Sequence, residues 1–367
     1  TPEPKQLTNE TQEPETKQKD REVLLAQLPE LQGAIVSLDP LTGAIVAAVG
    51  GSSFDLSHFN RVNQAARQAG SSFKPFIYAS AMAHGYTAAS IINDAPFAIW
   101  DPGQQREWRP KNVTGKYYGP TRLRQALYES RNLVSVRLLH QLGVKKAVKY
   151  IESLGFSKQK LPANLSIALG TSEFTPLEIA TGYAIFANGG YQVKNHIIDR
   201  ILDTEGREIY KNQAPVVCPD CKDQEPTSPP PALRVMDENT HFVIHSILSD
   251  VVDKGTATKA KVLGRKDLAG KTGTTNDQHD TWFSGFNTHL VTTVWVGFDT
   301  PKSIGKNEYG STASLPIWIN FMEKALAGKP DVIPKQPDTL VTVRIDPLTG
   351  KPTGPGSPNA IFEYFPK

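Results

Sequence analysis

Strand-forming residues stand at both ends of a long helical middle, and that separation decides the fold class. At the N-terminal end Ala34, Val36 and Leu38 alternate, Asp39-Pro40-Leu41-Thr42-Gly43 supplies turn chemistry, and Ile45-Val46-Ala47-Ala48-Val49 follows, which reads as a hairpin. Far along the chain come Asp267–Thr272, Thr281–Phe286 and Leu290–Phe298, joined by connections short enough to make them antiparallel neighbours. A lone hairpin is marginal in water, so the first pair must join the last three. The expected fold is α+β, one five-stranded antiparallel sheet flanked by helices. With 39% hydrophobic residues in a chain of 367, there is enough apolar side chain for such a core.

Between the hairpin and the three strands the apolar spacing is helical. Phe73, Phe76, Ile77 and Ala81 share a face of the segment 71–83, with Pro75 tolerable only in the first turn and Gly85 as its stop. Residues 86–119 read as loop. Arg122–Glu129 and Asn132–Leu142 read as short helices broken at Ser130-Arg131, and Val144–Leu154 as another closed by Gly155. Thr175-Pro176-Leu177-Glu178 is a capping box with Pro at its first helical position, opening a helix that runs to Asn188. Residues 196–210 read as a hairpin, Asp237–Val252 and about Pro316–Ala327 as helices. The pentapeptide DPLTG recurs at 346–350; no periodic repeat surrounds either copy, so these are two independent turns.

Composition divides the chain further. Residues 1–31 are rich in Pro, Glu, Lys and Gln and read as a linker or the remnant of a preceding domain. The main domain is expected over 32–328, with a Pro-rich insertion at 191–235, and a C-terminal extension over 329–367. Forty basic and 37 acidic side chains leave a net charge of +3, which gives no charge-driven affinity for nucleic acid. No apolar run approaches the length of a membrane span, so the chain is expected to be soluble, and a first residue other than Met suggests a processed chain or a piece of a longer one.

Three short motifs carry the chemistry. Ser71 and Lys74 are three apart at a helix start and so share a face. A serine hydroxyl needs a base within reach, and a lysine serves only when neutral, a state that burial or a second cation favours. Free N–H groups at a helix start also suit a developing oxyanion. Taken alone, such a motif is usually a cap followed by an exposed lysine. Ser130-Arg131-Asn132 sits at a break between helices, where a side chain can project into a cleft. Lys271-Thr272-Gly273-Thr274-Thr275 ends a strand, with a glycine that allows close backbone approach.

In that order, S-x-x-K, S-x-N and K-T-G resemble the set shared by class A β-lactamases and penicillin-binding proteins. ALGTSEFTPLEIATGYAIFANGG (168–190) and AGKTGTTNDQHDTWFSGF (269–286) are similar to the transpeptidase domain of class A penicillin-binding proteins, and the likeness to the Gram-negative members covers about residues 31–350. The resemblance implies Ser71 as acylated nucleophile and Lys74 as its base. It implies Ser130 as proton relay to the leaving amine, Lys271 as the charge that biases the cluster, and Asn132 as the holder of the acyl side chain. Thr272, Gly273, Thr274 and Thr275 would bind the substrate, with the carboxylate on Thr272 and Thr274. The backbone N–H groups of Ser71 and Thr274 would form the oxyanion hole. The implied partners are D-Ala-D-Ala stem peptides of peptidoglycan and β-lactams, on the periplasmic side of the inner membrane, without cofactor or metal. Class A proteins carry a glycosyltransferase domain and a membrane helix before this region; neither is expected in this chain. A serine β-lactamase is the alternative, since it shares the constellation but deacylates quickly. A non-catalytic wall-binding module would tolerate loss of Ser71, Lys74 or Lys271, and all three are present.

Other candidates rank lower. Cys218-Pro219-Asp220-Cys221 lacks the further ligands zinc needs and the βαβ context of a redox pair, leaving a local disulfide or free thiols. The eight histidines show no metal spacing, and His84, His241 and His245 read as helix surface or core. Asp277, His279 and Asp280 read as a polar turn. Trp108 and Tyr309 are loop aromatics. Glu173 and Glu178 flank a helix cap, Glu173 being the acid best able to fold over the cleft as a hydrolytic base.

Overall fold

In the computed structural model, which describes residues 29–101, 106–218 and 229–367, the two distant strand groups close into one sheet. Its strands are β1 (Leu31–Leu38), β2 (Ile45–Val49), β3 (Ala269–Thr274), β4 (Asp280–Phe286) and β5 (Val291–Phe298), in the order β3-β4-β5-β1-β2. Every pairing is antiparallel, with Ile35 opposite Val294 and Lys271 opposite Ser284. The α+β expectation holds, with strand ends moved by one or two residues. β4 and β5 are almost wholly buried and β1 is buried over its second half, whereas Val46 and Val49 leave the β2 edge exposed. Residues 31–367 form one contact unit, and the linker reading falls, up to residue 28, outside the described residues.

Helices cover both faces of the sheet. Among the described residues the helices are α1 (Lys74–Ala83), α2 (Leu123–Tyr128), α3 (Asn132–Leu142), α4 (Val144–Ser153), α5 (Pro176–Ala187), α6 (Glu238–Asp253) and α7 (Leu315–Ala325), of which α5, α6 and α7 pack on the sheet while α1 packs against α3, α4 and α6. Phe286 meets Tyr183 and Phe186 of α5, and Phe283 meets Trp318 of α7. Residues three apart in a strand face opposite ways, so α5 and α7 lie on opposite faces. The expected capping box of α5 is formed: Thr175 Oγ1 accepts from Glu178 N, and Glu178 Oε2 accepts from Thr175 N at 2.8 Å. The two DPLTG turns close alike. In each, the Asp carboxylate accepts from the amides two and three residues on, and the Gly amide donates to the Asp carbonyl at 2.9 Å.

Several local readings are corrected. The stretch 86–119 is not all loop: Ile91–Asp94 pairs with Gly119–Arg122, and Ile99–Asp101 with Arg106–Trp108. Strands of three or four residues are too short to show an alternating pattern. The first helix opens with a tight 3-10 turn, Gly70–Phe73, and α7 with a wide turn, Gly310–Ser314. Within the C-terminal stretch, β6 (Leu340–Ile345) pairs with β7 (Ile361–Pro366). That ribbon buries Glu363, which accepts from Arg124 of α2 at 2.7 Å, while Arg124 also donates to Asp250 of α6 at 2.9 Å. Cys218 is disulfide-bonded, and Cys221 lies outside the described residues.

Candidate active site

The turn carrying Ser71 is anchored from below by aromatic packing. Phe73 stacks on Phe174 at 5.3 Å between centroids and meets Phe76 and Phe156, and Tyr183 donates its hydroxyl to the Ser72 carbonyl at 2.5 Å. Ser71 itself is half-buried, and Lys74 begins α1 one turn on, fully buried. β3 runs alongside. Gly70 has φ +55°, and a Cβ there would come within 2.7 Å of the Thr274 carbonyl oxygen. A Cβ on Gly273 would come within 2.8 Å of the Ala69 carbonyl oxygen and 2.9 Å of Trp282 Cβ. Both glycines are therefore what lets K-T-G approach the nucleophile turn.

Ser130 is the meeting point. It ends the short α2 segment with φ +60°, a conformation that non-glycine residues hold only when the surroundings enforce it. Lys271 Nζ donates to its hydroxyl at 2.8 Å and to the Thr272 carbonyl at 3.0 Å. Lys74 Nζ lies 2.8 Å from the Ser130 carbonyl oxygen, 2.7 Å from Asn132 Oδ1 and 3.4 Å from Ser130 Oγ. Two of these partners only accept. A neutral amine has two N–H groups for them and keeps its lone pair for a hydroxyl.

Burial, with the charge of Lys271 second, pushes the Lys74 ammonium well below the usual lysine range. Burial brings Lys271 down to about 7. Two cations so close in a dry site disfavour each other, so Lys74 is the amine that gives up its proton first.

Thr272 and Thr274 are tied to neighbours that the sequence did not point to. Thr256, just past α6, shares a hydrogen bond with Thr272 Oγ1 at 2.6 Å, and Gly310 N donates to Thr274 Oγ1 at 3.0 Å. No spacing signal links those residues to K-T-G. Thr275 Oγ1 accepts from Asp280 N at 2.9 Å and so closes the turn after β3. Asp280 is not a mere turn residue. It is buried, and its Oδ1 accepts from Arg67 Nε at 2.7 Å and Trp295 Nε1 at 2.8 Å. Glu173 is exposed on a two-residue strand opposite Gln68, and Glu178 pairs with Lys160. His241 and His245 are core residues that burial holds at about 4 and about 3, whereas His84 is exposed. Trp108 and Tyr309 are half-buried. Among the described residues no group of His, Cys, Asp and Glu is arranged to hold a metal, and no helix is long and apolar enough to cross a membrane.

A profile for the penicillin-binding protein transpeptidase domain matches residues 33–323, which takes in every residue of the cluster. The chain belongs to this transpeptidase family. It is 45% identical to penicillin-binding protein 1A of Pseudomonas aeruginosa over 383 residues, covering 95% of this chain and 47% of that protein. It is 48% identical to penicillin-binding protein 1A of Neisseria lactamica, covering 86% of this chain and 38% of that one. The crystal structure of penicillin-binding protein 1A from Haemophilus influenzae superposes with a TM-score of 0.86 at 36% identity, over 93% of this chain and 54% of that one. The chain thus spans about half or less of the length of these relatives.

Proposed function

We propose that this transpeptidase domain crosslinks peptidoglycan by D,D-transpeptidation through a serine ester on Ser71. The observation that carries this reading is the convergence of Lys74 and Lys271, both fully buried, on the hydroxyl of Ser130 beside the Ser71 turn. Neutral Lys74 takes the proton of Ser71 Oγ as that oxygen bonds to the penultimate D-Ala carbonyl carbon. The N–H groups of Ser71 and Thr274 receive the developing oxyanion. The proton passes from Lys74 through Ser130 to the nitrogen of the terminal D-Ala, the C–N bond breaks, and D-Ala leaves. An amine of a second stem peptide then attacks the ester, its proton returns by the same route, and Ser71 is freed. Charged Lys271, with Thr272 and Thr274, holds the substrate carboxylate. In a β-lactam the broken amide stays within one molecule, so the leaving nitrogen remains tethered and the ester persists. The parent protein is proposed to be membrane-anchored, with a glycosyltransferase domain, and to present this domain on the periplasmic side.

Intact mass after incubation with benzylpenicillin tests the reading. One adduct is expected, mapping to Ser71, absent in Ser71→Ala, and persisting for minutes or longer after free drug is removed. An adduct on Ser72 or Ser130 would sink the assignment. Recovery of free enzyme within seconds would favour hydrolysis over transpeptidation, and Glu173→Gln would be the first variant to examine.

A further inference from the structure

Asp94 is fully buried, and among the described residues no cation pairs with its carboxylate. Instead both of its oxygens accept from Nδ2 of Asn112, at 2.8 and 2.9 Å, and that amide also donates to the Lys116 carbonyl at 2.9 Å. These acceptors fix the amide: Nδ2 must face Asp94, so Oδ1 must face the other way. Oδ1 accepts from the backbone N–H groups of Asn132 at 2.9 Å and Leu133 at 3.2 Å. Those are the first two amides of α3, whose own N-cap residue, Arg131, makes no capping bond. A side chain 20 residues away therefore supplies the cap that the helix lacks locally.

The next residue back fixes the Asn132 side chain. Lys111 O accepts from Asn132 Nδ2 at 2.9 Å, which turns Asn132 Oδ1 toward Lys74 Nζ. One of the two Nδ2 protons is used there, and the other remains to donate to a carbonyl of a bound ligand. Lys111 and Asn112 thus set both the position and the amide orientation of Asn132.

We propose that Asn112, oriented by Asp94, is a positioning residue that holds Asn132 to bind the acyl side chain of the donor, an inference that rests on the transpeptidase reading above. Its effect must depend on that side chain. Benzylpenicillin carries an acylamino side chain, and 6-aminopenicillanic acid lacks it, so the ratio of their acylation rate constants is the readout. In Asn112→Ala the benzylpenicillin rate is expected to fall about tenfold, with the ratio falling by a similar factor. Because that variant strands the Asp94 carboxylate, the ratio is also read on the volume-conserving pair Asp94→Leu with Asn112→Leu, where the same fall is expected. The exchanged pair Asp94→Asn with Asn112→Asp keeps an acceptor for both α3 amides and should recover most of the ratio. A ratio within twofold of the unmodified protein in the Asn112→Ala or Leu variants, or an equal loss on both penicillins, would overturn the proposal. Absence of any penicillin adduct on the unmodified protein would instead overturn the transpeptidase reading.

Discussion

Lys271 Nζ and Ser130 Oγ lie 2.8 Å apart although 141 residues separate them in the chain. Lys271 comes from the sheet edge β3 and Ser130 from the break between α2 and α3. Their contact, with Lys74 on the other side of the same hydroxyl, puts a serine between two buried amines with different proton affinities. One amine can then supply a base while the other supplies charge.

That difference sets a pH dependence. In the free protein Lys74 is neutral well below the usual lysine range, while Lys271 loses its charge as pH rises through about 7. Second-order acylation by a penicillin needs neutral Lys74 and charged Lys271, so it is expected to decline above about pH 7. A stopped-flow pH profile that stays flat to pH 9 would contradict this.

Replacing Lys74 separates base from charge. Lys74→Ala should slow acylation by about 10²–10⁴-fold, the usual worth of a general base. Lys74→Arg should be no better, because guanidinium does not deprotonate in this range. An arginine variant that acylates at the normal rate would refute the neutral-amine role.

The same burial should cost folding stability. An unfolded lysine titrates near 10.5 and folded Lys271 near 7. Between those values the unfolded chain binds one more proton, so stability rises with pH across that window, and below about 7 the folded state bears the full penalty. Lys271→Met removes the penalty. Urea unfolding at pH 7 should show a gain of about 1 kcal/mol or more together with lost acylation, and a flatter stability profile between pH 7 and 10.

The C-terminal ribbon is expected to be structurally necessary. Glu363 is fully buried against Arg124, which in turn ties α2 to Asp250 of α6. Glu363→Ala leaves a buried guanidinium short of its partner, and loss of one side of such a pair costs about 3–5 kcal/mol. A thermal-unfolding midpoint close to that of the unmodified protein would show that the ribbon is dispensable.

Much of this molecule was legible residue by residue. The turn at Asp39 and its copy at Asp346 form the same bonds because an Asp side chain, two following amides and a glycine suffice. The box at Thr175 and the strand–turn–strand of β4 and β5 are equally local, and the marginal stability of a lone hairpin was enough to predict the five-stranded sheet. The ribbons within 86–119 were not legible, since three or four residues show no period, and neither was the ionic tie at Asp280, whose partner Arg67 lies 213 residues earlier.

Local spacing puts each chemical group on its element: Ser71 and Lys74 at a helix start, Ser130 and Asn132 at a helix break, K-T-G on a strand. Their protonation and partners come from how those elements pack. Whether a lysine is a base depends on its loss of water and on a second cation beside it, and both come from elements folded together across the chain. Likewise the cap on α3 comes from Asn112 and the partner of Thr272 from Thr256. Burial and long-range approach are properties of the packed chain, and no local spacing encodes them.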